Sequence, residues 1–136
     1  MDFSSDDIDR LVAAATAARD HAYAPYSQFR VGAALLLPDR RLSSGCNVEN
    51  ASFGLSVCAE RNAVAAAVAA GARRFQALAV VTDSVPPASP CGACRQVLSE
   101  FGDFPVILAN PAGERVVTSV SQLLPHAFDG RTLERG

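Results

Sequence analysis

The chain contains no lysine and no tryptophan, and all twelve of its basic residues are arginine. Without a lysine amine there is no Schiff-base chemistry, no pyridoxal phosphate anchor and no phosphate-loop lysine. Histidine is scarce: His21 and His126 stand far apart, neither with a ligand-like partner nearby, so both are expected to face solvent or cap helices. Long apolar runs are also missing. Gly32 to Leu37 and the alanine-rich Ala63 to Ala72 fall short of the roughly 18 to 20 residues that cross a bilayer, so no transmembrane helix is expected. The amino terminus carries Asp2, Asp6, Asp7 and Asp9 where a secretory signal needs a basic and then an apolar segment, which points to the cytoplasm. Excess charge is lacking as well. Fourteen acids against twelve bases leave −2, too little to draw in a nucleic acid or an anionic membrane, and a small-molecule substrate is expected instead.

What is present suffices for a core. At 136 residues and 49% apolar, residues 1–136 read as a single domain, with no repeat, linker or composition break. From Ser4 to Ala22 the positions Ile8, Leu11, Val12, Ala15 and Ala18 recur at helical spacing, and Ser4 with Asp7 forms a capping pair. Ala24-Pro25-Tyr26-Ser27 ends that helix. Two strands follow, Phe29 to Leu37 and Leu42 to Val48, joined by a turn at Pro38-Asp39-Arg40-Arg41. A loop from Glu49 to Val57 feeds a helix from Cys58 to Ala70, closed by Gly71. Phe75 to Thr82 reads as a central strand, and Pro86, Pro87 and Pro90 force a loop before a helix from Cys91 to Phe101. Strands Val106 to Ala109 and Val116 to Val120 flank Asn110-Pro111-Ala112-Gly113, and Ser121 to Leu124 begins a last short helix. The order αββαβαββα predicts an α/β fold, a mixed sheet sandwiched by helices.

In a reducing compartment four cysteines are better metal ligands or catalytic thiols than disulfides. Cys91 and Cys94 lie at i and i+3 on the first turn of a helix, so both reach one tetrahedral ion. A Cys-x-x-Cys pair could equally be a redox dithiol, but that leaves Cys58 without a role. Cys58 also opens a helix, so two helix amino termini converge, and their partial positive charge favours the thiolates that bind zinc. Three ligands leave a position for water, whose pKa zinc lowers from 15.7 to about 7. Glu60, two residues after a ligand, is placed to take that water's proton and deliver it to a leaving group. Three thiolates on a dication also call for added positive charge, which Arg61 could supply through ligand sulfurs. Arg95 could do the same or be a solvated helix arginine. The bland alternative is a closed structural site in which Cys46 becomes a fourth ligand; otherwise Cys46 is a small buried hydrophobe.

Cys58-Ala59-Glu60 followed by Pro90-Cys91-Gly92-Ala93-Cys94 fits the three-cysteine form of the zinc deaminase signature. The resemblance extends through Tyr23-Ala24-Pro25-Tyr26-Ser27, Phe29-Arg30-Val31-Gly32-Ala33-Ala34, Gly45-Cys46-Asn47-Val48-Glu49-Asn50-Ala51 and Ser89-Pro90-Cys91-Gly92-Ala93-Cys94-Arg95-Gln96. With these blocks the chain resembles the small homotetrameric cytidine deaminases from about Ala22 to the Leu123–Phe128 segment. The resemblance implies a three-layer α/β/α fold with a five-stranded mixed sheet, and deamination of cytidine and 2'-deoxycytidine in pyrimidine salvage. It implies one zinc per subunit on Cys58, Cys91 and Cys94, with Glu60 as proton shuttle. It further implies that Asn47 and Glu49 bind the ribose, that Phe29 packs on the pyrimidine and that the Ala59 backbone contacts the base. Phe53 and Phe128 would reach a neighbouring subunit's site in a homotetramer. An amide beside a carboxylate can donate to and accept from sugar hydroxyls, although a hairpin-end turn accounts for the same pair. Phe29, Phe53 and Phe128 could equally be packing residues. Phe53 stands where many relatives have tyrosine, and nothing in the sequence dictates Arg30. Two other readings remain: a deaminase of this fold acting on a nucleoside antibiotic such as blasticidin S or on a nucleic-acid base, and a structural zinc domain that binds partners. Asn47-Val48-Glu49-Asn50 argues for a free nucleoside, and the missing tryptophan and basic groove argue against a polynucleotide.

Overall fold

In the computed structural model, which describes residues 3–135, Ser4 caps the first helix. Its hydroxyl accepts from the Asp7 N–H at 3.2 Å while the Asp7 carboxylate accepts from the Ser4 N–H at 3.0 Å, so two orphan donors are satisfied reciprocally. The helix, α1 (Ser5–Arg19), stops three residues before the expected Ala22. Tyr23 is drawn away to bridge Val48, its N–H donating to the Asn47 carbonyl and its carbonyl accepting from the Glu49 N–H.

Strands β1 (Gly32–Leu36) and β2 (Leu42–Cys46) form the expected hairpin, shorter at the outer ends. Phe29 to Val31 stays out of the ladder because the Asn47 side chain takes its backbone groups: Nδ2 donates to the Phe29 carbonyl and Oδ1 accepts from the Val31 N–H, both at 2.8 Å. After a 3₁₀ turn at Phe53–Leu55 come α2 (Ala59–Ala69), β3 (Ala77–Val81), α3 (Gly92–Ser99), β4 (Pro105–Ala109), β5 (Arg115–Ser119), α4 (Val120–Leu123) and α5 (Gly130–Arg135). The sequence reading lacked the 3₁₀ turn and α5, both too short to show a period.

The sheet runs β2-β1-β3-β4-β5, antiparallel except for the parallel β3–β4 pair that α3 connects. Side chains alternate between two buried faces. Ala33, Leu35, Leu78, Val80, Val106 and Leu108 pack with Ala59, Ala63 and Ala67 of α2 and Leu98 of α3. Ala34, Leu36, Ala79, Val81 and Ile107 pack with Leu11 and Ala15 of α1. The result is an α/β/α sandwich with a five-stranded mixed sheet. Leu11 is fully buried, and truncating it to alanine costs about 2–5 kcal/mol. Two glycines set the layer spacing. A Cβ on Gly32 would lie 1.9 Å from the Ala15 carbonyl oxygen, and one on Gly45 would lie 2.5 Å from the Ala63 nitrogen, so any side chain pushes α1 or α2 off the sheet. Among the described residues no helix is long and apolar enough to cross a membrane.

The same topology gathers the ends that carry chemistry. Gly32 pairs with both Cys46 and Val81, so the start of β1 lies between the carboxyl ends of β2 and β3. Ligand sites in open α/β sheets form outside such carboxyl ends.

Candidate functional site

Cys58 and Cys91 are the N-cap residues of α2 and α3, and neither thiol is spent on a capping hydrogen bond. Cys94 follows one turn into α3 and is buried. The Cys58 and Cys91 sulfurs are 3.7 Å apart, those of Cys91 and Cys94 3.5 Å, and all three lie within 4.8 Å of one another. Tetrahedral zinc with bonds of about 2.3 Å needs sulfurs separated by about 3.8 Å, so this triangle fits one face of such a centre. Soft thiolates suit zinc, and two helix amino termini stabilise their charge. Cys46 is not part of the group.

The thiols differ in proton affinity. Hydrogen bonding from Cys94 pulls Cys58 down from 9.0 to about 5, helped by the Arg61 guanidinium and Cys91. The same bond, with burial and the nearby Glu60 carboxyl, pushes Cys94 up. Arg61 Nη2 stands 3.7 Å from the Cys58 sulfur, placing positive charge against that thiol. Its buried Nε has no partner among the described residues. Glu60 follows Cys58 by two residues in α2 and is only 5% exposed. Burial raises its carboxyl from 4.5 to about 7, and the Cys58 charge adds to the rise while its own backbone N–H and Arg61 oppose it. A carboxyl balanced near neutrality can both take and return a proton.

A cavity of about 220 Å³ opens beside these groups and is bordered by Cys58, Ala59, Glu60 and Cys91. Phe29, Asn47 and Glu49 line it too, while Cys94 and Arg61 stand behind the lining against the other thiols, and Phe53 and Phe128 are the expected site residues not brought to it. Asn47 spends one acceptor and one donor on the Phe29–Val31 backbone. Glu49 accepts from the Tyr26 and Ser27 N–H groups, at 2.9 and 3.1 Å, and from the Ser27 hydroxyl. These bonds, the Ser27 hydroxyl first, hold its carboxyl below the usual 4.5. Phe53 and Phe128 lie outside the cavity, 74% and 56% exposed; Phe53 meets the edge of Tyr26, with centroids 5.9 Å apart.

Arg95 is half-buried, and its hydrogen bonds run to oxygen acceptors and to none of the sulfurs. Its Nε donates to the Pro90 carbonyl, one terminal nitrogen to the Leu123 carbonyl and the other to the Ser89 hydroxyl, tying the loop before Cys91 to α4. Sequence reasoning also missed Ser27, Thr82, Ala88 and Ser89, which line the cavity. Thr82 had a legible signal, as the first polar residue after the apolar run of β3 at its carboxyl end. The others are brought in by loops with no period to read.

Three thiols able to hold one metal ion, a buried carboxyl beside them and an adjoining cavity are the parts that a metal-dependent hydrolytic enzyme requires. Residues 5–110 match the family described as the cytidine and deoxycytidylate deaminase zinc-binding region. The chain is 50% identical over 129 residues to a cytidine deaminase of Sporosarcina psychrophila, covering 93% of this chain and 95% of the relative. The crystal structure of cytidine deaminase from Burkholderia pseudomallei superposes with a TM-score of 0.86 at 54% identity, covering 88% of this chain and 98% of that one. A blasticidin-S deaminase of Bacillus cereus is more distant, 28% identical over 107 residues, covering 73% of this chain and 76% of the relative. This chain belongs to the cytidine and deoxycytidylate deaminase family, and its cofactor is zinc.

Proposed function

We propose that the chain hydrolyses cytidine and 2'-deoxycytidine to uridine and 2'-deoxyuridine with release of ammonia, in pyrimidine salvage. The observation that carries this reading is the buried Glu60 carboxyl bordering one cavity with two of the three clustered thiols and the Asn47–Glu49 pair. Cys58, Cys91 and Cys94 would hold the zinc, which would serve as a Lewis acid that lowers the pKa of water from 15.7 to about 7. Glu60 takes the proton that water gives up as its oxygen attacks C4 of the base, and returns it to the departing amino group. Water thus supplies the oxygen of the product carbonyl, its second proton ends on ring N3, and the amino nitrogen leaves as ammonia when the C–N bond breaks. Phe29 packs against the ring, the Ala59 backbone contacts it, and Asn47 and Glu49 hold the sugar. Arg61 offsets the thiolate charge.

The lining argues for a nucleoside over a nucleotide. Among the described residues two carboxyl groups and no basic side chain border the cavity, so a substrate phosphate would meet their repulsion with no arginine to offset it. The lower identity to the blasticidin-S deaminase disfavours the antibiotic reading. A cytoplasmic homotetramer, in which Phe53 and Phe128 reach neighbouring sites, fits the exposure of both rings and the four free cysteines. Loss of cytidine absorbance with appearance of uridine and ammonia, abolished in Glu60→Gln, is the expected result for zinc-loaded protein. No conversion of either nucleoside by folded, zinc-replete protein would overturn the reading, and sedimentation tests the tetramer.

A further inference from the structure

Glu49 is a charged side chain with no cation to pair with. None of the ion pairs among the described residues includes it, and the groups that hold it are two backbone N–H groups and one hydroxyl. The hydroxyl belongs to Ser27, which the sequence analysis gave no role and which lines the cavity. An ionised carboxylate only accepts, so the single Ser27 proton must point to Glu49 Oε2. A lone pair of the Ser27 Oγ takes the Phe29 N–H at 3.0 Å. One small group therefore spans the residues proposed to hold the sugar and the base.

The two Glu49 oxygens are loaded unequally. Oε1 receives the Tyr26 and Ser27 N–H groups, which fill its two lone pairs, whereas Oε2 receives only the Ser27 hydroxyl. One lone pair of Oε2 stays open, and its direction depends on the Ser27 bond. Phe29 is less dependent on Ser27, because Asn47 grips the Phe29 carbonyl and the Val31 N–H from the other side.

We propose that Ser27 is a positioning residue for the sugar, orienting the open acceptor of Glu49 toward a hydroxyl of the bound nucleoside. This rests on the nucleoside reading above. Ser27 touches no reacting atom, so its loss acts on binding and leaves the chemical step alone. It also acts selectively on ligands that carry a sugar. The exposed position of Ser27 leaves room for threonine, which supplies the same hydroxyl.

The test uses the zinc-loaded protein with cytidine as substrate and uridine and uracil as competitive inhibitors. Ser27→Ala is expected to raise KM for cytidine about tenfold, the low end for a hydrogen bond to a charged group, with kcat kept within about twofold. Uridine inhibition weakens by about the same factor, uracil inhibition stays unchanged, and Ser27→Thr restores both constants. An unchanged KM in Ser27→Ala, a fall in kcat alone, or equal weakening of uridine and uracil would each overturn the proposal. Wild-type protein inactive on cytidine would overturn the proposed function and this inference with it. Active wild-type protein with an indifferent Ser27→Ala variant removes this inference only.

Discussion

Cys46 and Gly32 are partners in the β1–β2 ladder, and a Cβ on Gly32 would run into the backbone of α1. Directly paired residues of adjacent strands share a face. The Cys46 thiol therefore belongs to the α1 layer, while Cys58, Cys91 and Cys94 gather at the helices of the opposite layer. Gly45, one residue away, faces α2 as alternation requires. A closed four-cysteine structural site is excluded by this parity. Cys46→Ala is expected to retain one zinc per chain by elemental analysis, and Cys94→Ala to lose it.

Burial of the Glu60 carboxyl costs the fold stability when the group is ionised. Its folded-state pKa of about 7 lies above the ordinary 4.5, so in metal-free protein the folded state binds the extra proton. Stability from this group is therefore greatest below 4.5 and falls as pH rises toward 7. Glu60→Gln removes that dependence: the melting temperature of the metal-free variant, relative to wild type, should rise between pH 5 and pH 8. Turnover should drop about 10²- to 10⁴-fold, the usual range for a general acid–base group. A variant that melts lower at every pH would show that Glu60 is structural.

Arg61 sets its guanidinium 3.7 Å from the Cys58 sulfur. Replacing it with glutamine keeps hydrogen-bonding capacity and removes the charge. Zinc affinity measured by chelator competition should fall about 10- to 100-fold, with reduced turnover at saturating zinc. Unchanged affinity and turnover would leave Arg61 no part in the centre.

Asp7 gives the fold an acid-sensitive joint far from the cavity. It is 2% exposed, caps α1 through Ser4 and pairs with Arg40, and these bonds, the Ser4 N–H first, hold its carboxyl below the ordinary 3.8. A lowered folded pKa means the contribution is full above 3.8 and is lost as pH falls through the folded value. Thermal melts of wild type and Asp7→Asn should differ most near neutrality and converge below pH 3.8. Ser4→Ala should cost about 1 kcal/mol by loss of the cap alone.

Much of the site was legible because it is local. The Cys91–Cys94 spacing, the Cys58–Glu60 spacing and the proline that precedes Cys91 are features of single helix turns. The Ser4–Asp7 cap was legible for the same reason, since both partners lie within one turn. The expected strand from Phe29 failed differently. Its apolar pattern was real, but the Asn47 side chain, eighteen residues after Phe29 and sixteen after Val31, claimed the backbone that a strand would have used. The partners of Arg95 were not legible either, because all three of its side-chain bonds leave α3, two to the loop at Ser89 and Pro90 and one to Leu123 of α4.

The sequence by itself determined the order of the main helices and strands, the donor chemistry of three thiols and a carboxyl, and the absence of every lysine-dependent mechanism. Those properties follow from residue type and from spacings of a few positions, which a helix turn or a strand pleat converts directly into geometry. Only the tertiary structure decided that Cys58 meets Cys91 and Cys94, that Cys46 faces the other layer, and that Ser27 reaches Glu49. Such contacts depend on strand register and on loops held by backbone hydrogen bonds, where a shift of one residue exchanges the two faces of the sheet.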